Sequence, residues 1–154
     1  MAHSARLRPA RPDEAALLSA LALRSKAHWG YDDAFMAACV DELTLRPSEV
    51  VRRRTTVAED ADGRPVGLVT LEGPPPVGEL GLMFVEPDAI GLGVGRLLFE
   101  HMRETARAAG FRAVSWSADP NAVPFYEAMG GRHVGVTPSG SVPGRVLPLM
   151  ELRL

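Results

Sequence analysis

The sequence predicts a single α/β domain built on a mixed sheet. Three observations lead there. Strand-like and helix-like segments alternate along the whole chain, in the order β-α-α-β-β-β-α-β-α-β-β. The run "GELGLMFVEP" is apolar on both faces towards its end, as a buried central strand should be. Directly after it come three alternating glycines, Gly91, Gly93 and Gly95, and then a long amphipathic helical pattern. With no internal repeat and no linker, residues 1–154 read as one domain. A chain of this size buries roughly 68–70% of its unfolded surface, enough for one core without staples.

Arg6 to Pro9 form a short first strand. "RPDEAALLSALALRSKA" is a helix with Pro12 at its start, Asp13 and Glu14 in the first turn, and Arg24 and Lys26 in the last. That order suits both the proline preference and the helix dipole. "HWGYDD" is a break, after which Asp32 or Asp33 caps a second helix running to about Leu45, with Pro47 as its stop. Cys39, the only cysteine, falls on this helix's stripe with Phe35, Met36, Val40 and Leu43, and reads as a small buried residue. "TTVAE" and "PVGLVTLE" are strands joined by "DADGR", whose Asp-Gly is a hairpin signal. Pro74-Pro75-Pro76 then force a loop before the central strand. After the glycines, Val94, Leu97, Leu98, Met102, Thr105, Ala106 and Ala109 form one helical stripe, and Gly110 is a good stop. "RAVSWS" is a strand, "NAVPFYEAMG" a short helix, and "RHVGV" and "VLPLMELRL" are the last two strands.

The net charge of −2 argues against a dedicated nucleic-acid binder, which carries a basic excess. Arg52-Arg53-Arg54 reads as a solvated face at an element boundary. No stretch approaches ~18 uninterrupted apolar residues, so no membrane span is expected. The opening "MAHSARLRPARPDE" lacks the apolar core of a signal peptide, and together these features point to the cytoplasm. His3, His28, His101 and His133 are scattered, without metal-ligand spacing, so no metal is expected.

The glycines carry the chemistry. Unpaired N–H groups at a helix N-terminus attract anions, and glycine lets a phosphate reach the backbone with no Cβ in the way. Strand, glycine turn and helix therefore make a phosphate cradle, with Arg96 as a further anion partner. A nucleoside-triphosphate loop needs Gly-Lys-Ser/Thr, and Gly95-Arg96-Leu97 does not supply it. The dinucleotide fingerprint needs a third glycine where Arg96 or Leu98 stands.

The stretch "ELGLMFVEPDAIGLGVGRLLFEHM" resembles the acetyl-CoA signature of the GNAT superfamily of N-acetyltransferases. Val85-Glu86-Pro87 matches the strand end, and Ile90-Gly91-Leu92-Gly93-Val94-Gly95 matches the Gln/Arg-x-x-Gly-x-Gly/Ala loop, with Ile90 where Gln or Arg is usual. A second element, Asn-x-x-Ala-x-x-Phe-Tyr-Glu-x-x-Gly, is similar to Asn121 through Gly130, with Pro124 and Gly131 as departures. The resemblance implies a mixed, mostly antiparallel sheet of about seven strands with about four helices, its strands splayed where acetyl-CoA enters.

The resemblance also implies the site. Acetyl-CoA would bind through Gly91, Leu92, Gly93, Val94, Gly95 and Arg96, with its pantetheine arm along Met83, Phe84 and Val85. An N–H near Phe84 or Val85 would hold the oxyanion, and Asn121 would contact the CoA backbone or simply cap its helix. The acetyl group would pass directly to an amine. A free alkylamine has a pKa of about 10.4, so a base is needed. Glu79 is the candidate, directly or through water, with His28 as competitor and Asp119 as a turn residue. Tyr126 is the candidate acid for the departing thiolate, or else a core aromatic. His28, Trp29 and Tyr31, with Ser139 from the last hairpin, would wall the acceptor site. A non-catalytic acyl-CoA sensor of the same fold is the alternative. The C-terminal strand completes its own sheet or that of a partner in a homodimer.

Overall fold

The hairpin signal at Asp62-Gly63 is where β2 (Thr56–Glu59) turns into β3 (Pro65–Val69), the two pairing antiparallel. The Asp60 carboxylate accepts the N–H groups of Asp62 and Arg64 and tightens that turn. The computed structural model describes residues 5–154, so His3 lies outside the described residues. β1 (Arg6–Pro9) flanks β2 antiparallel. A single 3-10 turn at Pro12–Glu14 leads into α1 (Ala15–Ala27). α2 (Asp33–Leu43) starts from Asp32, whose carboxylate accepts the N–H of Phe35. It ends two residues before the expected Leu45.

The run expected as one central strand is divided into β4 (Val77–Glu79) and β5 (Met83–Val85). α3 (Val94–Ala108), β6 (Ala113–Ser117), α4 (Val123–Ala128), β7 (Arg132–Pro138) and β8 (Val146–Arg153) follow. The strands are thus eight rather than about seven, in two four-stranded sheets ordered β1-β2-β3-β5 and β4-β6-β8-β7. Only β4 and β6 pair in parallel. β8 lies between β6 and β7, so the C-terminal strand completes its own sheet.

The division has a local cause at Gly81. Leu80 enters the core cluster that contains α3, and Leu82 enters the one that contains α1. The chain must rotate between them, which breaks the period-two alternation of a strand. The Glu72 carboxylate lies over the turn; a Cβ on Gly81 would stand 1.7 Å from its Oε2. Thr70, wholly buried, closes the irregularity. Its hydroxyl accepts the Leu82 N–H at 2.8 Å and donates to Glu72 at 2.7 Å.

Two cores fix the layers. Leu18, Leu21 and Ala22 of α1 and Cys39 and Leu43 of α2 cover Val57, Leu68 and Leu82 of the first sheet. Val94, Leu98, Phe99 and Met102 of α3 pack with Val66 and Val69 of the first sheet and with Val114, Trp116 and Met150 of the second. α3 therefore joins the two sheets. The basic run is not wholly a solvated face: Arg53 is clamped by Glu72 at 2.9 Å, and the Arg54 guanidinium lies 5.3 Å over the Phe111 ring. These arginines line a concavity of about 460 Å³ with Glu49 and Glu72, apart from the residues of the candidate site below.

Thr70→Val keeps the shape at the break but leaves the buried Leu82 N–H without an acceptor. Urea unfolding should show a loss of ~1–3 kcal/mol, the usual range for an orphaned buried donor. Thr70→Ser should restore most of it.

Candidate active site

β5 and β6 run side by side without a shared ladder. β4 pairs with β6 as far as Glu79 opposite Ser115, and the Leu80 N–H still reaches the Ser115 carbonyl at 3.0 Å. Beyond Leu80, β5 pairs with β3 alone and the end of β6 pairs with β8 alone. Thr70 N–H donates to Leu82 at 2.9 Å, Leu68 stands opposite Phe84, and Glu86 N–H donates to Val66 at 2.8 Å. In an antiparallel ladder alternate residues bond to alternate sides. The backbone groups of Met83 and Val85 therefore face the gap, and those of Phe84 face β3. By the same alternation Ser117 faces the gap from β6.

The glycine turn lies just beyond β5, after a 3-10 turn at Pro87–Ala89. Gly91 and Gly93 both take left-handed backbone, φ 84° and 86°, and a Cβ on either would meet nothing within 4 Å. Gly95 is needed for another reason: a Cβ there would press on the Phe125 ring at 3.3 Å. The N–H groups of Gly91, Gly93, Val94, Gly95 and Arg96 have no acceptor among the described residues outside the helix's own bonds, whose first donor lies further along. Leu92 differs from the expected set, since its N–H turns inward to Ala89 at 3.3 Å. The Arg96 side chain is exposed. The result is an open, concave row of donors at the positive end of α3.

Glu79 is exposed and sits opposite Glu72 in an isolated antiparallel bridge. Its side chain makes no hydrogen bond among the described residues, leaving its oxygens open to water. Tyr126 is buried against Trp116, ring centroids 5.0 Å apart, and against Phe99 and Phe125. Burial pushes its phenol well above the ordinary tyrosine range, and the negative charge of Asp119 adds to the shift. By packing, Tyr126 is a core aromatic. The Trp116 indole N–H beside it is buried without a partner among the described residues.

The acceptor-wall residues divide. His28 and Trp29 are exposed at the end of α1, their rings 5.7 Å apart. The Ser139 hydroxyl accepts the N–H groups of Ser141 and Val142 and shapes the β7–β8 loop. Tyr31 lies in a network that sequence reasoning did not assemble. Its hydroxyl donates to Asp119 at 2.8 Å, and Lys26 pairs with the same carboxylate oxygen at 2.6 Å. Asn121 donates to Asp119 at 2.9 Å and to the Tyr31 oxygen at 3.2 Å, so its side chain is engaged here. Asp119, not Asn121, caps the turn into α4. Arg145 of the β7–β8 loop also donates to the Tyr31 oxygen, at 3.1 Å. Burial alone would raise the Asp119 carboxyl. The Lys26 ammonium, the Asn121 N–H and the Tyr31 hydroxyl outweigh it and hold the group below its ordinary range. Lys26 and Arg145 lie 93 residues before and 26 residues after Asp119, and nothing local in the sequence marks them as its neighbours.

A parted strand pair beside a helix N-terminus with unpaired N–H groups offers a strand edge to an extended chain and a row of donors to an anion. The profile of the acetyltransferase (GNAT) family matches residues 20–131, and the chain belongs to that family. Among solved structures it is similar to a GCN5-related N-acetyltransferase from Rhodopseudomonas palustris, with TM-score 0.81 and 25% identity, covering 100% of this chain and 99% of that one. PaiA N-acetyltransferase from Thermoplasma acidophilum, solved in complex with coenzyme A, matches with TM-score 0.75 and 17% identity over 98% of this chain and 99% of its own. YncA from Salmonella typhimurium, solved with its cofactor acetyl-CoA, matches with TM-score 0.69 and 17% identity over 97% and 94%. A search of curated proteins finds no match. No helix among the described residues is long and apolar enough to cross a membrane.

Because the folded Asp119 carboxyl is held below its ordinary value, its contribution to stability is complete above about pH 4 and is lost as pH falls through the folded value. The stability difference between the wild type and Asp119→Asn, read from urea midpoints, should therefore be largest near pH 6 and shrink towards pH 3.

Proposed function

We propose that this protein is an N-acetyltransferase that moves an acetyl group directly from acetyl-CoA to an amine acceptor. The observation that carries the reading is the β5–β6 gap opening beside the row of unpaired N–H groups at Gly91, Gly93, Val94, Gly95 and Arg96. The residues fit the cosubstrate: the missing Cβ atoms at Gly91 and Gly93 leave open space above those donors, as a pyrophosphate requires. The outward backbone groups of Met83 and Val85 suit a pantetheine arm lying as an added strand. Acetyl-CoA supplies an activated thioester carbonyl.

The chain's own groups do the rest. The Val85 N–H, rather than that of Phe84, holds the oxyanion formed as the amine adds. Glu79, exposed and unbonded, takes the amine proton through a water. Tyr126, neutral at any physiological pH, offers its O–H to the departing sulfur. Nothing in this sequence of steps attaches the acyl group to the protein.

The primary test is thiol release from acetyl-CoA in the presence of a diverse amine panel, with acetylated products weighed by mass spectrometry. Acetyl-CoA binding without turnover on any amine would favour the sensor reading instead. Three variants probe the parts. Gly93→Ala forces an L-residue into left-handed backbone, a cost of roughly 1–2 kcal/mol, and puts a methyl group above the cradle. Calorimetry should show acetyl-CoA affinity reduced about tenfold or more.

Glu79→Gln removes the base and keeps the shape. Its rate deficit should be greatest at low pH, where little amine is deprotonated, and should narrow as pH rises towards the amine pKa of about 10. A pH–rate profile parallel to the wild type would remove Glu79 from the mechanism. Tyr126→Phe should lower kcat by roughly 10²-fold, the low end for a positioned acid, while costing only ~0.5–1.5 kcal/mol of stability. A full-speed variant would leave Tyr126 with packing alone.

A further inference from the structure

Arg145 is half-buried and has no carboxylate partner. The other half-buried arginines among the described residues each meet one: Arg8 meets Glu14 and Glu59, Arg53 meets Glu72, and Arg103 meets Glu100. Arg145 instead adjoins aromatics, its guanidinium carbon 4.8 Å from the Phe35 ring centre and 5.3 Å from that of Tyr31. Those rings stack on each other at 4.0 Å and 14°. Its one side-chain hydrogen bond goes to the Tyr31 oxygen. A guanidinium has five N–H donors in a rigid fork, so most of the fork is unmatched.

A second cation adjoins the same stack. Lys26 Nζ stands 5.3 Å from the Tyr31 centroid and 6.0 Å from that of Phe35. Lys26 is matched by Asp119, which leaves the Arg145 guanidinium as an excess positive charge without an ion pair among the described residues; the Glu42 carboxylate meets the Ser141 hydroxyl of the same loop instead. This excess sits at the mouth of the β5–β6 gap. Asp119 follows the end of β6 by two residues, and its charge reaches the Tyr126 hydroxyl. Tyr31 and Arg145 belong to the two loops that would wall the acceptor.

We infer that the acceptor is an amine that also carries a carboxylate, held by the Arg145 fork beside the Tyr31–Phe35 stack. This rests on the transferase reading above. The carboxylate matches the fork in a paired hydrogen bond, and the apolar stem of such a molecule can lie against the exposed Trp29. The same guanidinium, without an ion pair, repels polycationic amines, so discrimination works in both directions.

The test compares amines in pairs that differ only in the carboxylate: phenylalanine with phenethylamine, β-alanine with ethylamine, and lysine with cadaverine. The wild type should favour the acid in at least one pair by about tenfold or more in kcat/KM, chiefly through KM. Arg145→Gln should abolish that preference, and Arg145→Lys, which keeps the charge but not the fork, should restore part of it. Circular dichroism checks that both variants fold, and calorimetry that they still bind acetyl-CoA. Equal use of both members in every pair, preference for polycations, or a preference that survives in Arg145→Gln overturns the inference. If no amine of either kind is acetylated, the transferase reading falls. The anion site is then decided by titrating N-acetyl amino acids and their amides into the CoA-bound protein. Tighter binding of the acid that is lost in Arg145→Gln supports the site; equal binding overturns it.

Discussion

The structure depends on one interruption: β5 does not pair with β6. Two adjacent strand edges with unsatisfied N–H and C=O groups are costly inside a protein, because each buried orphan forfeits about the worth of a hydrogen bond. The fold bears this cost by bracing both sides of the gap from elsewhere. On one face α3 contributes Val94, Leu98, Phe99 and Met102 to a core shared by both sheets. On the other face α1 makes two polar ties. Arg24 grips Glu86 at the end of β5 with two hydrogen bonds, of 2.9 and 2.6 Å. Two residues further on the helix, Lys26 reaches Asp119 beyond the end of β6. The ion pairs tie α1 to the chain just past the end of each strand, and the strand edges themselves take no part in them.

The cause of the interruption is as local as its consequences are wide. Gly81 gives the chain room to rotate, Thr70 takes up the N–H that rotation frees, and Glu72 occupies the volume a side chain would have filled. This also explains why the break was not legible as one. In the sequence, Leu80 and Leu82 continue the alternation of a single strand; that they enter opposite cores is visible only once α1 and α3 are in place. Features set within a few residues were legible: the Asp-Gly hairpin, the Asp32 cap, the proline at the start of the first helix and the glycine turn. Each is a backbone constraint imposed by the residue itself. The family motifs added the gap, which no periodicity indicated.

The polar network was the least legible part, for a physical reason. Lys26, Tyr31, Asp119, Asn121 and Arg145 come from four separate segments and meet only because α1, the β6–α4 turn and the β7–β8 loop converge over one end of the gap. A solitary lysine and an arginine in a glycine-rich loop carry no spacing that signals a partner. The sequence instead suggested Asn121 as a cofactor contact, where the structure engages its side chain with Asp119 and Tyr31. Ser139 was legible as part of the right loop, but its hydroxyl serves the loop's own backbone.

The surroundings of Tyr126 set what it can do. Its phenol is pushed above the ordinary value of about 10, first by burial and then by Asp119, whereas a thiol resembling that of cysteine ionises near 8.5. Full proton transfer from this phenol to a thiolate is therefore uphill before the ligand arrives. A hydrogen bond from O–H to the sulfur as negative charge develops needs no completed transfer, and in a dry pocket such a bond is stronger than in water. The same environment that makes Tyr126 a reluctant acid makes it a dependable donor, since it stays protonated throughout the working pH range. Asp119 then acts at two places at once. It anchors Lys26 and Tyr31, and its charge adds to the burial that keeps the proton on the Tyr126 hydroxyl.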